Sequence, residues 1–282
     1  MLVINQKNLE DFARDGYLFL PDFYDLQRDI EPVQEGIYRL IGEVADRHAI
    51  TLSRPSFSHE NFDAAFLDLI AVDRSYGAEV YDAVKQIPAF IRLVADTRHE
   101  ELMKELRPGS LPGIAAGGYG IRIDNPTEDK FRANWHQEYP AQLRSLDGIV
   151  LWSPLVPITK ERGPVRMCVG SHRDGLRPVT RLDPRNPAKQ GAYGLTLVNE
   201  ETLVSSYEQI EPLSKPGDLI VMDFLTLHES GANRSNRSRW SMQFRYFNFL
   251  EPTGRSHGWR GSFASGVDFA SVHPELVTDE HS

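Results

Sequence analysis

The chain has 282 residues, of which 40% are hydrophobic and 25% charged, an ordinary balance for a globular protein of one large domain or two small ones. Its formal net charge of -9 argues against nucleic acid and anionic membranes as partners, since both select a basic surface. The single cysteine, Cys168, excludes an intrachain disulfide and fits a reducing cytoplasm.

The opening, MLVINQKNLEDFARDG, turns charged too early for a secretory leader. No apolar run approaches the ~20 residues of a membrane helix. Asn8 is placed to cap a first helix whose opening turn holds Glu10 and Asp11, and Gly16 ends it. YLFLP follows as a short strand. Asp25 then begins an amphipathic helix running to about His48. From Asn61 to about Leu106 the spacing stays helical, with Leu67, Ile70 and Ala71 and then Val80, Val84 and Ile87 in register, and Pro88 interrupting.

Composition shifts after Arg107, at PGSLPGIAAGGYG. Beyond it, β-prone runs alternate with turns: YGIRI, FRANWHQEY, GIVLWSPLV, VRMCV, LTLV, DLIVMDF and WSMQFRYFNF. Strands at this spacing predict a sandwich, barrel or jelly roll. No linker divides the chain, so the expectation is one α+β domain: a helical layer over 1–107, a β-core over 108–250, and a tail or lid over 251–282.

A strand sends residues i and i+2 to one face. If FRANWHQEY is a strand, His136 and Glu138 point together and Gln137 points away. Alone, that pair reads first as a solvated strand face. With a second histidine it becomes a facial set of two imidazoles and one carboxylate. Such a set leaves three positions open and suits non-haem Fe(II) that must bind a co-substrate and O2. His228 stands out for this part, because it follows the buried-looking DLIVMDF and precedes a polar turn. Arg239 comes 11 residues later and opens the last strand. An arginine fork can hold a carboxylate through two hydrogen bonds; alone, Arg239 also reads as a surface residue near Arg234 and Arg237.

In that last strand Arg239, Ser241, Gln243 and Arg245 fall on one face, and Trp240, Met242, Phe244 and Tyr246 on the other. If Arg239 points inward, Ser241, Gln243 and Arg245 line a polar pocket while Trp240 and Phe244 pack on the helices. Arg122 and Tyr119 are further candidates for substrate contact, against a surface ion pair for the first and plain core packing for the second.

Four segments in this order, FARDGYLFLPDFYD, WHQE, ERGPVRMCVGSHRDG and HESGANRSNRSRW, resemble the phytanoyl-CoA dioxygenase family of Fe(II)/2-oxoglutarate oxygenases. The resemblance spans about Asn8 to Tyr246. It implies a double-stranded β-helix, a cupin-like jelly roll, with the N-terminal helices packed on its outer sheet. It implies His136, Glu138 and His228 as catalytic iron ligands, Arg239 as the group holding the distal carboxylate of 2-oxoglutarate, and Ser230 as its assistant. His172 is then structural or on the surface, not a ligand. The implied cofactors are Fe(II), 2-oxoglutarate and O2, and the implied reaction is hydroxylation of a small molecule with release of succinate and CO2.

One departure stands out: the family's motif is His-x-Asp, and this chain has His-x-Glu. Glutamate adds one C–C bond, about 1.5 Å of reach. A retained carboxylate argues for hydroxylation or a related oxidation. It also leaves room for a jelly-roll binding protein that has lost its iron. A zinc hydrolase can use the same three side chains but gives Arg239 no role. No basic stripe suggests the phosphates of coenzyme A, and the polar pocket face favours a hydrophilic metabolite. The oligomeric state is not specified.

Overall fold

The structure, a computed structural model, describes residues 4–181 and 195–278. The first three residues of the expected non-leader opening and the last four of the expected tail lie outside the described residues. The first helix, α1 (Gln6–Asp15), is capped by Asn5 rather than Asn8. The Asn5 side chain accepts from the Asn8 N–H, and the Asn8 side chain accepts from the Asn5 N–H. Two orphan donors are thus satisfied reciprocally, and Glu10 and Asp11 lie beyond the first turn. Gly16, at φ 76°, ends the helix and releases strand β1 (Tyr17–Leu20).

Asp25 accepts from the Arg28 N–H and opens a wide turn over Leu26–Ile30 that runs into α2 (Glu31–Arg47). Helices α3 (Phe66–Val72), α4 (Arg74–Val84), α5 (Pro88–Val94) and α6 (Thr97–Leu106) complete the helical layer. Pro88 starts α5, where its missing N–H costs nothing.

After β2 (Pro112–Ile114) and β3 (Gly120–Asp124) comes a helical turn, α7 (Tyr139–Gln142). Strands β4 (Gly148–Pro154), β5 (Val165–Cys168), β6 (Val179–Thr180) and β7 (Thr196–Leu197) lead to α8 (Glu200–Ser205). Then follow β8 (Gln209–Ile210), β9 (Leu219–Asp223), β10 (His228–Ser230) and the long β11 (Arg239–Asn248). The C-terminal segment holds α9 (Pro252–Ser256), α10 (Ser262–Ser265), α11 (Phe269–Val272) and β12 (Val277–Thr278).

The larger sheet runs β1-β9-β4-β11-β2, with β3 also paired to β11. A smaller sheet runs β10-β5-β8, and a third runs β12-β6-β7. The pairs are antiparallel except for β12 with β6. One face of β11 lies against the helices. The rings of Phe62 and Phe66 meet Trp240 at 5.9 and 5.0 Å, and Phe90 stacks on Phe244 at 5.5 Å. The Tyr246 hydroxyl donates to Val94 O at 2.8 Å. The other face of β11 looks toward the smaller sheet. Both faces are therefore covered, so even Arg239, Ser241 and Arg245 are buried.

The C-terminal segment is docked on the core: Trp259 donates to Phe249 O at 2.9 Å, and Arg144 donates to Trp259 O at 3.0 Å. Among the described residues, no helix is long and apolar enough to cross a membrane.

Candidate metal centre

His136 and Glu138 do share a site, but not through strand alternation. His136 makes a single antiparallel bridge to His228, with paired backbone hydrogen bonds of 3.0 Å in each direction. Gln137 points the other way, donating to Gly175 O and Leu225 O and accepting from the Arg177 N–H. The chain then leaves the extended conformation. Glu138 sits at φ -70°, ψ -34° as the first residue before α7, and Pro140 occupies the opening turn of that helix. Proline is tolerated there and cannot pair in a sheet interior. The Glu138 and Tyr139 N–H groups both donate to Phe224 O, at 2.8 and 3.3 Å. That anchor tucks the glutamate back toward His228.

The candidate ligand atoms of His136, Glu138 and His228 all lie within 4.8 Å of one another. Nδ1 of His136 faces Asn134 O at 2.7 Å, and Nδ1 of His228 faces Thr226 O at 2.9 Å. Each backbone carbonyl fixes the ring and turns Nε2 into the candidate ligand atom. Glu138 is held from behind: its Oε1 accepts from Gln142 Nε2 at 2.9 Å and from Arg245 Nε at 3.0 Å. Its Oε2 lies 3.7 Å from His228 Nε2 and 3.3 Å from Arg245 Nη2. The extra methylene is absorbed by the helical placement, and one oxygen is presented to the two imidazoles.

The charge states suit ligation. Burial, then the neighbouring His228, push the His136 pKa down to about 3, against the pull of Glu138. Burial lowers His228 as well, again opposed by Glu138. Burial alone would raise Glu138, but Arg245 and the two histidines outweigh it and hold the carboxyl at about 2. At neutral pH the site thus offers two neutral imidazoles and one carboxylate, the forms that bind a cation. The three side chains fit a divalent metal.

A small cavity of about 30 Å³ adjoins the cluster. Its polar wall includes Ser230, Arg122, Gln243 and Arg245, and its apolar wall includes Trp152 and Met222. Side chains from both sheets line it, so the sheets enclose the site between them.

Comparison with known proteins places this architecture. The family model for phytanoyl-CoA dioxygenase matches residues 12–241. The chain belongs to the phytanoyl-CoA dioxygenase family. It is by class a non-haem iron, 2-oxoglutarate-dependent oxygenase. Among solved structures, EctD from S. alaskensis with 2-oxoglutarate and 5-hydroxyectoine superposes with a TM-score of 0.55 at 19% identity, covering 87% of this chain and 76% of that one. The carbocyclase SnoK from nogalamycin biosynthesis gives 0.55 at 13% identity, covering 87% and 84%. EvdO2 from Micromonospora carbonacea var. aurantiaca, complexed with 2-oxoglutarate, gives 0.53 at 16% identity, covering 87% and 91%. At such identities the likeness is one of fold, the jelly roll with its helical layer. No relative among the curated proteins matches the chain in sequence.

Within this family member the other expected residues fall as follows. Arg239 points inward but stands outside the wall of the small cavity. Its Nη2 donates to Asp124 Oδ2 at 2.7 Å, and its Nη1 donates to Gly163 O and, at 3.3 Å, to Gly231 O. Among the described residues its Nε has no partner, and neither does the buried Ser241 hydroxyl on the same strand face. Arg122 is not in a surface ion pair: its side chain is 16% exposed and paired with Asp124 at 2.8 Å. Tyr119 is half-buried and lines a larger cavity beside the site, together with Gln243 and Arg245. His172 Nε2 donates to Ala13 O, 3.2 Å away, and lies outside the cluster.

Sequence reasoning missed Gln142 and Asp124. Gln142 stands four residues after Glu138, a helical spacing that carries a signal once Pro140 is read as a helix start. Asp124 carries none, because its contact with Arg239 spans 115 residues.

Proposed function

We propose that this oxygenase hydroxylates a small organic substrate, with His136, Glu138 and His228 holding Fe(II) and Arg239 orienting 2-oxoglutarate. The observation that carries the reading is the convergence of one nitrogen from each imidazole and one carboxylate oxygen within 4.8 Å, each side chain fixed from behind by a hydrogen bond. Iron(II) bound there supplies O2 activation coupled to oxidative decarboxylation of 2-oxoglutarate to succinate and CO2, with the second oxygen atom going into a substrate C–H bond.

The chain's own residues do the positioning. Gln142 and Arg245 hold Glu138 Oε1, so that Oε2 faces the histidines. For the distal carboxylate of 2-oxoglutarate, Arg239 Nε and Ser241 Oγ are two buried groups on one strand face with no partner among the described residues. An unmet buried donor is costly, and a carboxylate would satisfy both. Ser230 lies on the small cavity's wall beside His228 and supplies a further hydroxyl. Trp152, Val150 and Met222 give the cavity an apolar side that keeps water from the reacting centre.

The test is an anaerobic titration of metal-free protein with Fe(II) and then 2-oxoglutarate, followed through the visible charge-transfer band. The band should appear in the wild type and be absent from His228→Ala. Well-folded protein that binds no Fe(II) would remove the oxygenase reading and favour a binding protein. Zinc retention with hydrolytic turnover would replace it with a hydrolase.

A further inference from the structure

The turn over residues 224–227 joins β9 to β10, and successive carbonyls in it are spent on the candidate metal centre. Phe224 O accepts from the Glu138 and Tyr139 N–H groups, at 2.8 and 3.3 Å. Leu225 O accepts from Gln137 Nε2 at 2.8 Å. Thr226 O faces His228 Nδ1 at 2.9 Å. His136 follows the same turn at one remove, because its backbone is paired with that of His228. A single turn thus places all three side chains, and a shift of its backbone moves them relative to one another.

The groups that fix the turn lie outside the cluster. Asp223 Oδ1 accepts from the Leu225 N–H at 2.7 Å, the local bond by which an aspartate shapes a turn two residues on. Asp223 Oδ2 is ion-paired with Arg107 Nη2. Arg107 ends α6, where its N–H donates to Met103 O at 2.9 Å. Its Nε is paired with Asp147 Oδ1 at 2.7 Å, directly before β4. One guanidinium therefore ties the last turn of α6 to the adjoining ends of β4 and β9. Asp223 is buried, and its own N–H donates to Gly16 O at 2.9 Å. The Thr226 hydroxyl donates to the same carbonyl at 2.7 Å. Hydrogen bonds from a charged donor to a charged acceptor are the strong ones, so Arg107 keeps the carboxylate on the Leu225 N–H.

We infer that Asp223 is a positioning residue for the metal centre: held by Arg107, it sets the carbonyls of residues 224–227 and through them the mutual placement of His136, Glu138 and His228. This rests on the proposed reading of the three as ligands, though the effect on the turn does not. The groups behind metal ligands typically contribute about 10- to 100-fold in metal affinity, because they orient the donor atoms before the ion arrives.

Two measurements test this: amide hydrogen exchange of the metal-free protein by NMR, and titration with Mn(II), whose free ion is counted by electron paramagnetic resonance. Leu151 and Met242 supply reference amides, since each lies in the larger sheet with a paired strand on either side. Asp223→Ala should speed exchange at Glu138 and Tyr139 about tenfold relative to the reference amides, and should weaken Mn(II) binding by about tenfold or more. Asp223→Asn keeps an oxygen for the Leu225 N–H and should bring both readouts back to within about threefold of the wild type. Arg107→Gln frees the carboxylate without removing it. It should give the same pattern at about threefold, and it decides the matter if Asp223→Ala does not fold. Asp147→Ala removes the other partner of Arg107, leaves the turn bonds in place, and should move neither readout. Equal acceleration of all the amides, a loss that Asp223→Asn does not rescue, or wild-type Mn(II) affinity in a folded Asp223→Ala would overturn the inference. Faster exchange confined to Glu138 and Tyr139, in a protein whose wild type binds no Mn(II), would overturn only the reading of the three side chains as ligands.

Discussion

Glu138 is the residue on which the centre turns. A shorter aspartate at this backbone position would start about 1.5 Å further from the histidines. Here the glutamate starts from a helical residue, and its Oε1 is pinned by Gln142 and Arg245 at 2.9 and 3.0 Å. Glu138→Asp should therefore weaken Fe(II) binding at least tenfold, although it restores the family's usual residue. Iron binding that improves in the anaerobic titration would show that the surroundings have not adapted to glutamate. Ser241 allows a test without damage to the fold, because its hydroxyl is buried and has no partner among the described residues. Removing it spares a desolvation penalty of about 1–3 kcal/mol, so Ser241→Ala should melt no lower than the wild type. If the hydroxyl serves 2-oxoglutarate, the concentration needed for half-maximal succinate formation should rise about fivefold, the equivalent of one ordinary hydrogen bond of about 1 kcal/mol. An unchanged requirement would take Ser241 out of the co-substrate site.

At the level of elements, His136 and His228 were legible because each lies beside a distinctive run, NWHQE and HESGAN, and because a histidine pair with a carboxylate is a recognisable donor set. The way Glu138 reaches them was not legible. FRANWHQEY has the composition of a strand, and only Pro140, the next residue, signals that extension stops at Gln137. The asparagine cap shows the same weakness at smaller cost. Asn5 and Asn8 are both good caps, and their reciprocal bonds are settled by geometry that composition does not encode. The C-terminal segment read equally well as lid or tail, but it braces α7. The Tyr139 hydroxyl meets His273 Nε2 at 2.8 Å, Phe269 packs edge-on to the Tyr139 ring at 6.5 Å, and Ser262 donates to Ala141 O. Since α7 follows directly on Glu138, loosening the brace should loosen that candidate ligand. Phe269 is buried, so Phe269→Ala should cost about 3–5 kcal/mol of stability. It should also weaken Fe(II) binding at a temperature where the variant is still folded. Full iron affinity in a destabilised variant would reduce the segment to packing.

Across the whole molecule, the site is built where a helical layer, a large sheet and a small sheet leave charged groups in the interior. Asp124 is the clearest of these. It sits between Arg122 and Arg239, 2.8 and 2.7 Å from their guanidinium nitrogens. Burial would raise its pKa, but the two arginines outweigh burial and hold it at about 2. The folded value lies below the ordinary carboxyl value of about 3.9, so ionised Asp124 favours the folded state. Its contribution, roughly 2.5 kcal/mol from the shift, is complete above about pH 4 and is lost as the pH falls through the folded value. Asp124→Asn should cost about 3–5 kcal/mol at neutral pH, because two buried cations lose their counter-charge. The wild type gives up its advantage as Asp124 protonates, so denaturant titrations between pH 5 and about 2 should show the gap between the two proteins closing toward acid. A gap of constant size would mean that Asp124 contributes through its hydrogen bonds alone, and that Arg239 keeps its place without the carboxylate charge.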